Sequence, residues 1–292
     1  MAGELLMIND GTVKWEMNKV ASELQLKNVE EKVKGVSKIT SVPAWWLDRG
    51  DGSDGDFRPT GNVTISGIKQ YKSVMIPAGV TVTISGYAMI KGQGLFFNAG
   101  TITANGQGAS GGAGGYYVKD SDDLYTGMPA GAGASGTSSA GGAGGTGMAS
   151  NGAGGGRYAF NVPLDASSSI SLIMALNGFG IGAGGGGGAC GKQLRNYYNG
   201  AAGGRGGGAI AIIASSVNNE GLITANGANG NSTGNSYSGG GGGGGGGSIV
   251  LVADTVIKNG TLTSSGGGGG SGKGYGATGG TGIVFIKELG VM

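Results

Sequence analysis

The spacing of apolar positions divides the chain into three regimes. Val13, Met17, Val20 and Leu24 fall at i, i+4, i+7 and i+11, the stripe of an amphipathic helix whose start Asp10 or Thr12 can cap. A second short helix can begin at Asn28, with Glu31 in the capping-box position and Gly35 just past its end. From 62 to 105 the period shortens to two: Val63 and Ile65, then Val80, Val82 and Ile84, then Ile102 between Thr101 and Thr103. These runs predict strands. Pro77-Ala78-Gly79 supplies turn chemistry for a hairpin, or one corner of a coiled sheet, across 71 to 86. Beyond Gly106 glycine tracts alternate with short apolar runs.

An internal repeat organises that last region. Residues 209 to 227 match 248 to 266 at a constant offset of 39, with Ile210, Ile212, Leu222 and Ile223 answered by Ile249, Leu251, Thr261 and Leu262. Gly100-Thr101-Ile102-Thr103-Ala104-Asn105-Gly106 recurs as Gly221-Leu222-Ile223-Thr224-Ala225-Asn226-Gly227. Fixed periods mark stacked units. Each unit reads as apolar strand, Asn-containing turn, short strand, Gly tract, polar loop and Gly tract.

Polyglycine can form an extended helix of three residues per turn, rising about 3.1 Å per residue. It has no internal hydrogen bonds, so its N–H and C=O groups must be satisfied by neighbouring copies. Ten candidate tracts lie near 106 to 115, 131 to 136, 140 to 147, 152 to 156, 178 to 191, 200 to 208, 227 to 230, 239 to 247, 266 to 270 and 277 to 282. Alternating their direction sends 116 to 130, 148 to 151, 192 to 199, 231 to 238 and 271 to 276 to one pole. The β-like segments then turn at the other. Pure-Gly tracts are expected inside the stack, and tracts bearing Ala, Ser or Thr at its surface.

Composition changes the picture in a few places. Gly and Pro number 73 and 5 of 292 residues, about 27%, a level typical of low-complexity chains, but disorder has no reason to keep a 39-residue register. Collagen is excluded because Gly is not at every third position. Charged residues are only 12% and the net charge is +2, which argues against nucleic acid as partner. One Cys and no His remove an internal disulfide, a Cys/His zinc site and imidazole catalysis. No apolar run reaches bilayer length and residues 1 to 18 lack a signal-type core, so synthesis without a signal peptide in the cytoplasm is expected.

Several motifs fail on inspection. The stretch from Asp48 to Asp56 lacks the spacing and the terminal Glu of a calcium loop and reads as a solvated linker. Gly267 to Lys273 and Gly186 to Lys192 read G-x-x-x-x-G-K, but Gly274 and Gln193 follow where a phosphate loop needs Ser or Thr. Asp120, Asp122 and Asp123 in one loop fit a solvated face better than a glycosidase pair. No enzyme, metal or cofactor is expected.

What remains is a set of polar turns: Tyr116, Tyr117, Asp120, Asp122, Asp123 and Tyr125; Met148 and Asn151; Lys192, Arg195, Tyr197 and Tyr198; Asn231, Asn235 and Tyr237; Lys273 and Tyr275. Tyr with Ser, Gly and Asn on loops is the composition of antibody paratopes, giving broad amphipathic contact at low entropic cost. The alternative is that Tyr merely caps the ends of the Gly stack. At the other end of the chain, Trp15, Trp45 and Trp46 fall in a segment of about fifty residues, small for an independent core. They either dock on a partner or pack under the next domain.

The Trp-containing N-terminus, the segment Tyr71-Lys72-Ser73-Val74-Met75-Ile76-Pro77-Ala78-Gly79-Val80-Thr81-Val82, and the Gly blocks split by irregular turns resemble the receptor-recognising tip adhesins of the long tail fibres of T-even-like bacteriophages. The likeness is one of architecture and spans nearly the whole chain. It implies a helical fibre-attachment domain and linker at 1–57, a β-rich connector at 58–105, and a polyglycine-helix sandwich at 106–292 with receptor-binding loops at one end. The fold class so implied is mostly neither helix nor sheet, with about ten stacked polyglycine type II helices. Trp15, Met17, Trp45 and Trp46 would attach a monomer to the trimeric fibre end on the virion, and the five turns would bind a porin-like outer-membrane protein. Three rival readings stand beside it: an ice-binding polyglycine protein, a glycan- or lipopolysaccharide-binding adhesin, and a structural Gly-rich protein.

Overall fold

The computed structural model describes residues 8–9, 12–13, 48–119, 125–133 and 179–289. The chain divides into two compact units, essentially 1–47 and 48–291. In the first, β1 (Ile8–Asn9) and β2 (Thr12–Val13) pair antiparallel with Ile8 opposite Val13. This overturns the helical N-terminal domain: no helix occurs among the described residues, and the first apolar position of the expected stripe lies in a strand. The sequence between the two strands is Asp10-Gly11, a dipeptide that favours two-residue hairpin loops over helix starts. Trp15, Met17, Val20, Leu24, Trp45, Trp46 and the expected second helix lie outside the described residues.

The second unit begins with β3 (Asp56–Phe57), β4 (Val63–Tyr71), β5 (Ser73–Ile76), β6 (Thr81–Asn98) and β7 (Thr101–Thr103). Two hairpins follow, β8 (Tyr116–Lys119) with β9 (Tyr125–Met128) and β10 (Gly191–Gln193) with β11 (Asn196–Tyr198). The repeat supplies β12 (Ala209–Asn219), β13 (Leu222–Thr224), β14 (Ser248–Lys258), β15 (Thr261–Thr263) and β16 (Ile283–Glu288). Hairpin strands aside, the strands of this unit join one ten-stranded sheet in which every pairing is parallel.

That sheet is a solenoid, because like positions of successive coils stack. Val63, Val82, Ile102, Ile223 and Leu262 form one column in direct register. Phe57, Val74, Phe96, Val217 and Val256 form a second, and Ile90, Ile212, Leu251 and Ile286 a third. The middle members of all three columns are fully buried in one common core. Pro77-Ala78-Gly79 turns a corner and not a hairpin: β5 and β6 run parallel, with Val74 beside Phe96, and Gly79 takes the positive φ of 82° that the bend needs.

Sequence offset becomes spatial neighbourhood. Ala209 pairs with Ser248 and Leu222 with Thr261, so the 39-residue repeat is one coil. Polar side chains ladder along the same axis. Asn98 Nδ2 donates to Asn219 Oδ1 and Asn219 Nδ2 to the Asn259 carbonyl, both at 2.7 Å. Backbone N–H groups of Ser265 and Gly268 donate to Asn226 Oδ1 and Asn229 Oδ1 one coil back, also at 2.7 Å. The stretch read as a solvated linker belongs to this body too. Asp54 N–H donates to the Gln70 carbonyl, Lys72 N–H to that of Gly55, and Arg49 pairs with Asp254 on β14.

From the coils, glycine tracts run out and back as rods bonded laterally at every third residue. Gly182, Gly185 and Gly188 donate to the carbonyls of Gly207, Gly204 and Ala201 at 2.7 to 2.8 Å, so these rods are antiparallel. Ala201, Gly204 and Gly207 donate onward to Gly239, Gly242 and Gly245, a parallel pair. A Cβ added at Gly185, Gly203 or Gly244 would sit 1.9 to 2.1 Å from a neighbouring carbonyl oxygen. The Cα–H bonds therefore point at carbonyls, adding weak contacts between the strong ones. Rod 239–247 is buried throughout, whereas 266–270 is half-exposed despite being pure Gly, and Ala183 and Ala189 are buried inside rod 182–190.

The expected fold class is thus corrected in a second respect. Strand accounts for 44% of the described residues and gathers in one ten-stranded parallel sheet, far more than a short β segment. Gly86, Gly92 and Gly94 all lie within β6. Within the 58–105 segment, β6 pairs with β12 and β7 with β13, so its strands share one sheet with those of the repeat.

Candidate functional site

Because the rods alternate in direction, the segments joining them gather at one pole, away from the coils. The register between rods fixes their neighbourhood: Gly115 N–H donates to the Gly188 carbonyl and Gly200 N–H to that of Gly115. Hairpin β8–β9 therefore leaves the lattice beside hairpin β10–β11. Similarly Ala201 and Ala189 are bonded to Gly239, which places the 231–238 turn on the other flank of β10–β11.

Tyrosines stitch these turns together. Tyr197 on β11 stacks on Tyr125 at 4.2 Å between ring centroids, receives the edge of Tyr117 at 4.8 Å, and carries Lys192 Nζ 5.2 Å from its centroid. Each aromatic pair of this kind is worth about 0.5 to 1.5 kcal/mol beyond its burial. Tyr198 stacks on Tyr237 at 5.3 Å. Three turns from distant parts of the sequence thus meet in two ring groups, joined through the adjacent residues Tyr197 and Tyr198. Tyr117's hydroxyl is buried against the Cys190 thiol without a well-formed hydrogen bond among the described residues. Burial first, then that thiol, push its pKa up, so the ring stays neutral and serves as packing.

The flanking turns are fixed by backbone chemistry. Asn235 Oδ1 accepts from the Tyr237 and Ser238 backbone N–H groups at 2.9 and 3.0 Å, an Asx turn. Asn231 contributes through its main chain, donating to the Ala202 carbonyl and accepting from Gly241. The 271–276 turn docks on it, with Thr233 N–H donating to the Ser271 carbonyl and Lys273 N–H to that of Ser238.

The structure therefore brings Tyr117, Tyr125 and Lys192 against Tyr197, and Tyr237 against Tyr198, with Asn231, Asn235 and Lys273 in the bonded flank. Tyr116 is half-exposed on β8 and Tyr275 is 78% exposed; neither joins a ring contact among the described residues. Arg195 stands exposed in the β10–β11 loop. Asp120, Asp122, Asp123, Met148 and Asn151 lie outside the described residues.

Sequence reasoning passed over Leu194. It is 86% exposed and has a φ of +52°, alone among the described non-Gly residues in being positive. The signal was present as an apolar residue isolated in Lys-Gln-Leu-Arg-Asn between two glycine tracts. No group of His, Cys, Asp or Glu suited to a metal occurs among the described residues. No family model, curated protein or solved structure matches the chain.

Proposed function

We propose that the chain is a non-enzymatic adhesin that recognises a cell-surface receptor through the turns at its rod pole, as the tip protein of a bacteriophage long tail fibre. One observation carries the reading: tyrosines from three turns pack around the β10–β11 hairpin where the glycine rods end, and the rods are bonded to one another through their backbones. A rigid base with variable turns lets specificity change without refolding. Tyr125 and Tyr197 give one face each to one another, as do Tyr198 and Tyr237, which leaves fewer free ring faces for sugars and favours a protein receptor over lipopolysaccharide. Arg205, exposed on a rod, interrupts the array of small residues that ice binding would want.

In this reading the 1–47 unit attaches one copy to the trimeric fibre end, with Trp15, Met17, Trp45 and Trp46 as contacts. The test exchanges residues 192–199 and 231–238 for unrelated turns of equal length and measures adsorption to a panel of Gram-negative cells and purified porins. Changed or lost binding with an unchanged melting temperature is expected; unchanged binding refutes it. Trp45→Ala with Trp46→Ala should weaken fibre association and leave the 48–291 unit folded.

A further inference from the structure

We propose that Leu194 is the anchor of that surface, a side chain that enters an apolar pocket ringed by carboxylates on the receptor protein. This rests on the reading of the rod pole as the receptor-binding surface.

Hairpin β10–β11 has a two-residue loop, since Gln193 pairs with Asn196, leaving Leu194 and Arg195 as its central residues. Leu194 has a positive φ and Arg195 does not. That sign pattern belongs to a type II′ turn, whose first central position ordinarily takes Gly. A chain so rich in glycine places Leu there instead, where the left-handed backbone disfavours any side chain with a Cβ. The side chain is then directed almost wholly into solvent, at 86% exposure, so folding recovers nothing from it. A costly conformation displaying an unburied apolar group is explained by burial in a partner.

The stem is built to hold that display. Lys192 opposes Tyr197 across the hairpin, and Tyr197 is clamped between Tyr125 and Tyr117, so the loop starts from an ordered base. Preorganisation of this kind lowers the entropic cost of association. Lys192 and Arg195 are exposed on either side of Leu194, and the hairpin carries no acid. The complementary surface is therefore an apolar pocket with a negative rim, which selects a protein over a saccharide chain.

The test uses the full-length chain and measures affinity for immobilised porin trimers and, separately, for purified lipopolysaccharide, by interferometry. Leu194→Gly and Leu194→Asp should keep or raise the melting temperature, Gly more so because it relieves the backbone, while lowering porin affinity roughly ten- to hundredfold, the range for burying one leucine. Leu194→Met should retain most of the affinity. If Leu194→Gly binds porin as tightly as the parent while exchange of 231–238 abolishes binding, Leu194 is not the anchor but the pole still binds. If the parent binds only lipopolysaccharide, or no porin at all, the proposal is overturned.

Discussion

Replacing Gly244 by Ala probes the rod lattice where it is least able to yield. The new Cβ would lie 2.0 Å from the Arg205 carbonyl oxygen and 2.4 Å from its carbon, against the 3.4 Å at which ordinary contact begins. Both atoms are backbone, so no rotamer relieves the clash, and one rod must retreat from the other. Gly244 N–H donates to the Ala228 carbonyl at 2.9 Å and its own carbonyl accepts from Gly267 at 2.8 Å. A displacement of that size stretches both, and each lost bond costs about 1 kcal/mol net. Overpacking adds about 1 to 3 kcal/mol, and Ala regains about 0.4 to 1 kcal/mol through the unfolded state. The expected result is a loss of about 3 kcal/mol, read from the midpoint of urea unfolding. Ser110→Ala, on the exposed side of its rod, should stay within about 0.5 kcal/mol. A Gly244→Ala protein as stable as the parent would show that the rods are not packed at the described spacing.

The remaining predictions concern the solenoid. Asn219→Ala should destabilise by about 2 to 4 kcal/mol in the same assay, because it deprives the buried Asn98 Nδ2 and the Asn259 carbonyl of their partners; a loss below 1 kcal/mol would mean that water replaces it freely. The Lys258 ammonium beside Glu220, at 2.8 Å, holds the Glu220 carboxyl below its ordinary range. A depressed pKa contributes stability above the ordinary glutamate range that is lost as pH falls through it, so Lys258→Met should flatten the acid limb of a melting-temperature profile slightly and leave neutral pH almost unchanged. Both groups are well exposed, and a large effect at neutral pH would contradict their role.

How far the sequence spoke depends on which signal was competing. The columns were legible in outline, since Val63, Val82 and Ile102 alternate with polar residues, and the offset of 39 became the pairing of Ala209 with Ser248. Their closure into a single solenoid was not, because glycines inside β6 look like breakers when only propensity is weighed, and because the runs of β12 and β14 are buried on both faces and lose the period of two. At the N-terminus the Asp-Gly pair between Ile8-Asn9 and Thr12-Val13 carries a hairpin signal that outweighs helical spacing at Val13, the one stripe position among the described residues. At the rod pole, residue type pointed to Tyr197 and Tyr237, but which rings would touch depended on lateral registers that no local pattern encodes. Leu194 stayed hidden because its meaning lies in a backbone angle.

Amide hydrogen exchange tests the central claim most directly, namely that backbone-bonded glycine rods hold separate turns as one surface. Peptides covering 182–190, 200–208 and 239–247 should exchange as slowly as strands β12 and β14, opening with them as one unit, while 192–196 exchanges quickly. Rods that exchange at the rate of an unstructured glycine peptide, with β12 and β14 still protected, would contradict the account.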